Sequence, residues 1–294
     1  MAITILENQL LASQLDHYRA KLLPYAYNIL GDVLAAEDVV QDVLNRYFLN
    51  TQEHVKHQDN YLIRSVVNGA INQKNLLRNQ KEEYLGEWLP TPVFSEEGIY
   101  SGMDSSKKIN YALMVLLEAL NPRERAVFIL KETFDFSHAE IADLLEMSVD
   151  NSRQLLKRSK EKLELNTLPS VSVSDARYIA LKKLTDAILE ADIEKITHLL
   201  SEDVQCISDG GNKVNAARKV LTGQLRVRKL LQAIYGKYLL EGSTLAYTSV
   251  NNSPAIVYRK GSLLYRCIVF EMEEDVVQKV FIIVNPDKLK ALKK

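Results

Sequence analysis

Residues 120–163, LNPRERAVFILKETFDFSHAEIADLLEMSVDNSRQLLKRSKEKL, carry three helix-start signals in close succession. Asn121 precedes Pro122, a proline placed where a missing N–H costs nothing. Ser137 stands three residues before Glu140, a capping box. Ser148 follows the turn Glu146-Met147 and opens the last helix. Ala126, Val127, Ile129 and Leu130, then Ile141, Ala142, Leu144 and Leu145, then Leu155, Leu156 and Leu163 give each helix an inward face. The pattern predicts a helix-turn-helix whose final helix is studded with cations. That geometry seats a helix in the DNA major groove, with its first residues at base edges and later cations at phosphates. Asp150, Asn151, Arg153 and Gln154 are therefore candidates for base reading, Lys157, Arg158 and Lys160 for phosphate contact, and the capping Ser148 is counted with them at the DNA-facing start of the helix. The plainer alternative is a solvated basic face on an ordinary bundle.

At 294 residues the chain suits two or three small domains. Its net charge of −1 excludes a uniformly basic nucleic-acid coat, so any DNA contact must come from local patches. Cys206 and Cys267 lie far apart with no metal-ligand spacing, which fits a reducing cytoplasm and predicts no metal site and no cofactor. The first residues lack the basic start and apolar core of a signal peptide. No apolar run is long enough to cross a membrane.

Upstream, residues 8–80 read as helical. Leu22, Leu23, Ala26, Ile29 and Leu30 recur at helical spacing, and Gly31-Asp32 interrupts. Val39, Val40, Val43, Leu44 and Tyr47 resume the pattern, and Ile63, Val66, Val67, Ala70 and Ile71 mark a third helix. Residues 81–107, rich in Pro, Gly and Ser, read as a linker holding the single tryptophan, Trp88; residues 168–172 read as a second, short linker. Beyond Asp175 the period changes. Helices at 175–190, 192–200 and 215–240 accompany strands at 204–208, 244–250, 255–260, 262–272 and 276–284, with Gly261 in a tight turn. This predicts an α+β domain with a curved antiparallel sheet around helices.

Residues 17–48, HYRAKLLPYAYNILGDVLAAEDVVQDVLNRYF, and 61–73, YLIRSVVNGAINQ, resemble region 2 of extracytoplasmic-function (ECF) sigma factors. Residues 120–163 resemble region 4 of the same family. WLPTP (88–92), DGGNK (209–213) and NPDKL (285–289) resemble the linker, loop and C-terminal motifs of the group whose C-terminus is a SnoaL-like, NTF2-type domain. Three departures stand out: Thr91 replaces the linker glutamate, Asn212 replaces a loop glycine, and Glu146 stands where the helix-turn-helix usually has glycine. Asn tolerates a left-handed backbone, and a left-handed Glu146 would carry strain on the order of 1 kcal/mol.

The resemblance implies a multidomain chain of two all-α domains followed by an α+β NTF2-like cone. Its divisions are 1–80 (region 2), 81–107 (linker), 108–168 (region 4) and 169–294 (SnoaL-like). It implies a cytoplasmic, non-enzymatic promoter-specificity factor whose partners are core RNA polymerase and the −10 and −35 promoter elements. Glu37, Asp38, Gln41 and Asp42 would face polymerase. Opening the −10 element requires a base to leave the stack; Arg64, Asn68, Asn72, Gln73, Lys74 and Arg78 are the polar candidates. Trp88, Leu89, Pro90 and Pro92 of the linker, Asp209, Gly210, Gly211 and Lys213 of the loop, and Asn285, Pro286, Asp287 and Lys288 near the C-terminus are expected to meet in a regulatory contact, with Trp88 as its apolar anchor. The C-terminal fold leaves room for a small-molecule ligand. Two other readings stand beside this one: a helix-turn-helix regulator that never binds polymerase, and an enzyme of the SnoaL type using Asp203, His198, Asp209 or Tyr258.

Overall fold

Helix α1 (Ala2–Leu30) ends at Gly31, whose φ of 72° turns the chain and whose N–H bonds Tyr27 O at 2.7 Å. Asp32 Oδ1 then accepts from Ala35 N–H at 3.0 Å and starts α2 (Val33–Asn50). Helix α3 (Gln58–Lys81) lies close to α2: a Cβ on Gly69 would come within 3.0 Å of Val39. The apolar positions expected on these helices are buried, apart from half-buried Val39. A computed structural model describes residues 2–50, 57–81, 84, 86–96, 98–100, 103, 108–164, 175–240 and 242–292. The expected second linker at 168–172 lies outside the described residues.

After the short α4 (Tyr111–Leu116), capping boxes at Asn121/Glu124 and Ser137/Glu140 open α5 (Pro122–Glu132) and α6 (His138–Leu144), and Ser148 caps α7 (Val149–Lys162). These helices are not a module separate from α1–α3. Residues 1–80, 99–107 and 116–168 form one compact unit. A buried ionic cluster explains it. Arg125 is fully buried, donates from Nε to Asn28 O at 2.8 Å and pairs with Glu118. Glu118 also holds Lys74 at 2.8 Å, and Lys74 Nζ reaches Leu30 O at 2.6 Å. One carboxylate serves both cations, which also donate to backbone carbonyls, and removing Glu118 would strand two cations in a low dielectric. Tyr25 of α1 stacks on Phe134, ring centroids 4.0 Å apart.

The second unit comprises residues 81–98, 108–115 and 169–294. Its sheet runs β2-β1-β6-β5-β4-β3, with β1 (Leu200–Asp209), β2 (Leu221–Thr222), β3 (Thr244–Val250), β4 (Ser253–Lys260), β5 (Leu263–Glu273) and β6 (Val276–Ile283). Pairing is antiparallel except between β1 and β6. Helices α8 (Asp175–Leu189), α9 (Ile193–His198) and α10 (Gln224–Leu240) cover one face, where Leu184, Leu231, Tyr235, Tyr258, Phe270 and Val280 form the core. The expected helix over 215–240 begins only at Gln224. Before it, Leu221 and Thr222 pair with β1 and Gly223 turns at φ 93°.

The opposite face of the sheet also carries apolar residues, including Val257, Cys267, Val269, Phe281 and Ile283. Leu89 and Tyr111, from the stretch expected to be linker and region 4 start, complete that cluster. Residues 89–95 are thus packed into the second unit and are not a free linker. Asn251 and Asn252, at φ 44° and 51°, make the β3–β4 turn; Asn251 Oδ1 accepts from Val93 N–H at 3.0 Å, and Val93 O accepts from Asn251 N–H at 2.9 Å. Tyr111 Oη donates to Pro90 O at 2.7 Å. Pro90 and Pro92 bring no N–H that would need a partner. Burial pushes the Cys206 thiol up to about 12 and that of Cys267 higher still, so neither forms thiolate at neutral pH.

Leu89→Ala removes a fully buried side chain from this outer cluster. It should cost about 2–5 kcal/mol in urea unfolding. Loss of less than about 1 kcal/mol would mean that the linker does not pack on the sheet.

Candidate nucleic-acid interface and the linker contact

Helix α7 packs inward through buried Ser152 and Ser159; Ser159 Oγ donates to Leu155 O at 2.8 Å. Burial works to raise the Glu124 pKa, but Lys162 at 2.7 Å and the Asn121 N–H outweigh it, hold the carboxylate below its usual range and brace α7 against α5. Asp150, Asn151, Arg153, Gln154, Lys157 and Arg158 are exposed on the other side. Arg153 pairs with Asp150 at 2.9 Å. Lys160 departs from expectation: it turns to Glu132 of α5 at 2.9 Å, so Lys157 and Arg158 are the more available cations. Ser148 is spent on its cap, accepting from Asn151 N–H at 3.1 Å. Glu146 is left-handed at φ 50°.

On the first helices, Arg64, Asn68 and Asn72 line a cavity of about 330 Å³ between α2 and α3. Arg46, Tyr61, Ser65 and Val43 complete its walls. Arg46 was not singled out by the sequence pattern; it stands one turn from Val43, at the edge of the apolar face of α2. Gln73 is half-buried and Arg78 exposed. Lys74, expected at the −10 element, is buried in the ionic cluster with Glu118 and cannot reach DNA in this fold. Asp38, Gln41 and Asp42 are exposed along α2; Glu37 sits 3.8 Å from Arg19. Exposed Leu34 and Leu49 flank this acidic-polar stripe, an apolar complement that helical spacing alone does not single out.

The three short motifs meet at one carboxylate. Asp209 ends β1 and is 1% exposed. Its Oδ2 accepts from Leu89 N–H at 2.9 Å and Lys288 Nζ at 2.6 Å; its Oδ1 accepts from Gly211 N–H at 3.0 Å and from the Tyr84 hydroxyl. Burial first, and then Asp209, push the Tyr84 phenol well above its usual pKa, so it stays protonated and donates. Lys288 also reaches Leu89 O and lies 4.0 Å over the Trp88 ring. Trp88 is therefore a half-buried cation–π partner, and Leu89 is the apolar anchor. Lys213 pairs with Asp287, which Lys213 and Lys290 hold below the usual carboxylate range. Backbone makes the fit tight: a Cβ on Gly210 would meet Val214 O at 2.0 Å, and one on Gly211 (φ 63°) would meet Asn285 at 2.3 Å. Asn212 follows at φ 57°, as its replacement of a glycine requires. Asn285 caps α11 (Pro286–Leu289) through Asp287 N–H at 3.1 Å and donates to Tyr84 Oη at 3.2 Å. Tyr84 had no sequence signal.

The four residues weighed for catalysis do not share a setting. His198 and Asp203 are exposed, Asp209 is spent on the linker contact, and Tyr258 is buried in the helix-facing core beside Tyr235, ring centroids 5.9 Å apart. Among the described residues, no group of three His, Cys, Asp or Glu could hold a metal, and no helix is long and apolar enough to cross a membrane.

Residues 111–163 match the family model described as "Sigma-70, region 4". The chain is 26% identical over 299 residues to the ECF RNA polymerase sigma factor SigJ of Mycobacterium tuberculosis, spanning 94% of this chain and 92% of that protein. It is 23% identical over 287 residues to the M. tuberculosis protein described as "Probable ECF RNA polymerase sigma factor SigI", spanning 94% of this chain and 93% of the other. The crystal structure of M. tuberculosis SigJ shares the fold, with a TM-score of 0.73 at 24% identity over 96% of this chain and 99% of that one.

Asp209→Asn should destabilise the second unit by about 3–5 kcal/mol, because Lys288 is left buried without its anion. Equal urea midpoints for variant and parent would remove this carboxylate from its structural role. Glu146→Gly should raise stability by up to about 1 kcal/mol by relieving the left-handed strain; a drop in midpoint would show that the Glu146 side chain contributes more than its backbone strain costs. Residues 111–163 thus match sigma-70 region 4, and the chain is similar along nearly its whole length to ECF RNA polymerase sigma factors and shares the fold of one of them.

Proposed function

We propose that this protein is a promoter-specificity subunit of bacterial RNA polymerase, acting in the cytoplasm and catalysing no reaction of its own. One observation carries the reading: the region 4 match falls on a capped helix-turn-helix whose last helix exposes Asn151, Arg153, Gln154, Lys157 and Arg158. That helix reads the duplex −35 element, with Arg153 and Gln154 at base edges and Lys157 and Arg158 at phosphates. The stripe Glu37, Asp38, Gln41 and Asp42, flanked by Leu34 and Leu49, docks on polymerase. The α2/α3 cavity receives a base of the −10 strand once it is unstacked, with Arg64, Asn68 and Asn72 at its rim and Gln73 and Arg78 along the flanking strand. Lys74 is outside this set.

The C-terminal unit regulates in cis. It holds residues 81–98, the connection between the −10-reading and −35-reading helices, through Asp209, Lys288 and the outer face of the sheet. Fixing that connection restricts which separations of the two DNA-reading parts the chain can reach. A small ligand in the C-terminal unit would change output only by favouring one arrangement over another.

Transcription in vitro with core polymerase on a genomic promoter library tests the assignment. The full chain should direct initiation from a defined promoter set, and no initiation above core enzyme alone would refute it. Arg153→Ala should weaken cognate −35 binding by about 1–3 kcal/mol with little change on a scrambled site. Equal losses on both sites at fixed salt would remove Arg153 from the base-reading set.

A further inference from the structure

Helix α6 opens on a histidine that is tied to the next helix. His138 is its first residue and is half-buried. Its Nδ1 lies 2.9 Å from Oγ of Ser152, a fully buried residue at the start of α7. The ring is therefore held beside the base-reading stretch, where Arg153 and Gln154 follow in sequence. Cations gather around it: Lys131 from α5, and Arg153 from α7, itself paired with Asp150. The carboxylate that acts on the ring, Glu132 of α5, is already matched by Lys160 at 2.9 Å. Burial first, then Lys131 and Arg153, hold the imidazole below the ordinary histidine pKa, so it is uncharged near neutral pH. Lys157 and Arg158 stand further along α7 than Ser152, by roughly 8–9 Å at about 1.5 Å per residue. The base-reading residues thus lie between two cationic groups, on the scale of a major groove about 12 Å wide.

We infer that His138 is a phosphate contact of the −35 duplex, its Nε2–H donating to a phosphate oxygen while Ser152 fixes the ring through Nδ1. The inference rests on the reading of α7 as the −35 helix and adds to it a contact from outside that helix. The neutral tautomer this requires has Ser152 Oγ–H donating to Nδ1 and the proton on Nε2. Protonation reverses the Ser152 bond and leaves Nε2–H in place, so the contact survives in both charge states and is stronger in the charged one. A phosphate beside the ring supplies the anion that this group of cations lacks. It stabilises the imidazolium, raises the pKa of the bound state above that of the free chain, and makes binding take up a proton. The added affinity is therefore fully present below the free-chain pKa and is lost as pH rises through the bound-state pKa. Because phosphates carry no base identity, the gain is the same on any sequence.

The test uses holoenzyme assembled from the full chain and core polymerase, with fluorescein-labelled cognate and scrambled −35 duplexes. Binding is read by anisotropy at fixed salt from about pH 6 to about pH 8.5. Parent affinity should fall about three- to tenfold across that range on both duplexes. His138→Gln is neutral throughout and can still bond Ser152. It should bind several-fold more weakly than the parent at the low end, match it within about twofold at the high end, and lose most of the pH dependence. His138→Lys, charged throughout, should keep the parent's low-pH affinity to the top of the range. A parent-like slope in His138→Gln overturns the contact, as does a loss confined to the cognate duplex. An equal loss at every pH in both variants marks a purely structural ring and also overturns it. His138→Gln equal to the parent at every pH, with Arg153→Ala weakened on the cognate duplex alone, strikes His138 and leaves the −35 reading standing. Parent-like binding of both duplexes by Arg153→Ala would defeat the base-reading role of that residue in α7, and the His138 contact with it.

Discussion

A single buried carboxylate organises the C-terminal unit. Asp209 accepts from two backbone amides, a phenol and an ammonium, and these come from the linker, its own loop and the chain's last helix. A charge so enclosed is tolerable only when its lone pairs are filled and a cation sits beside it. Each motif therefore depends on the others: Gly210 and Gly211 let the loop approach, Lys288 supplies the counter-charge, and Leu89 brings the linker amide. The linker in turn fills the outer face of the sheet, which would otherwise expose Val257, Val269, Phe281 and Ile283 to water.

The consequence is a C-terminal unit that includes more than the C-terminal stretch of the sequence. The segment between α3 and α4 supplies structural elements of the unit that follows in sequence. Within the helical unit, Glu118 plays a similar part, holding Lys74 of α3 and Arg125 of α5 together. Both devices use buried charge to fix one arrangement. Matched buried ions add little stability over an apolar core but penalise every mispaired alternative strongly.

What was legible in the sequence follows from period and punctuation. Asn121, Ser137 and Ser148 announced their helices because capping chemistry is local, and β3 spans the predicted residues because β-branched and aromatic residues run between clear turns. The docking of residues 88–95 was hidden, since an extended proline-containing strand has no period and its partners lie more than a hundred positions away. Lys74 looked like a DNA cation because spacing assigns a face, not the atom that a flexible ammonium reaches. Trp88 drew attention by its type, while the burial belongs to Leu89. Arg64 and Asn68 were visible as polar surface on α3; that they line one cavity with Arg46 is tertiary information.

Hydrogen–deuterium exchange at the Leu89 and Val93 amides tests the central contact most directly. Neither lies in a helix or a named strand, and both donate to side chains of the C-terminal unit, Asp209 and Asn251. Docking predicts protection approaching that of the central strands β4 and β5. Exchange at the rate of an unstructured loop would show the linker to be free and would contradict the integrated C-terminal unit described above.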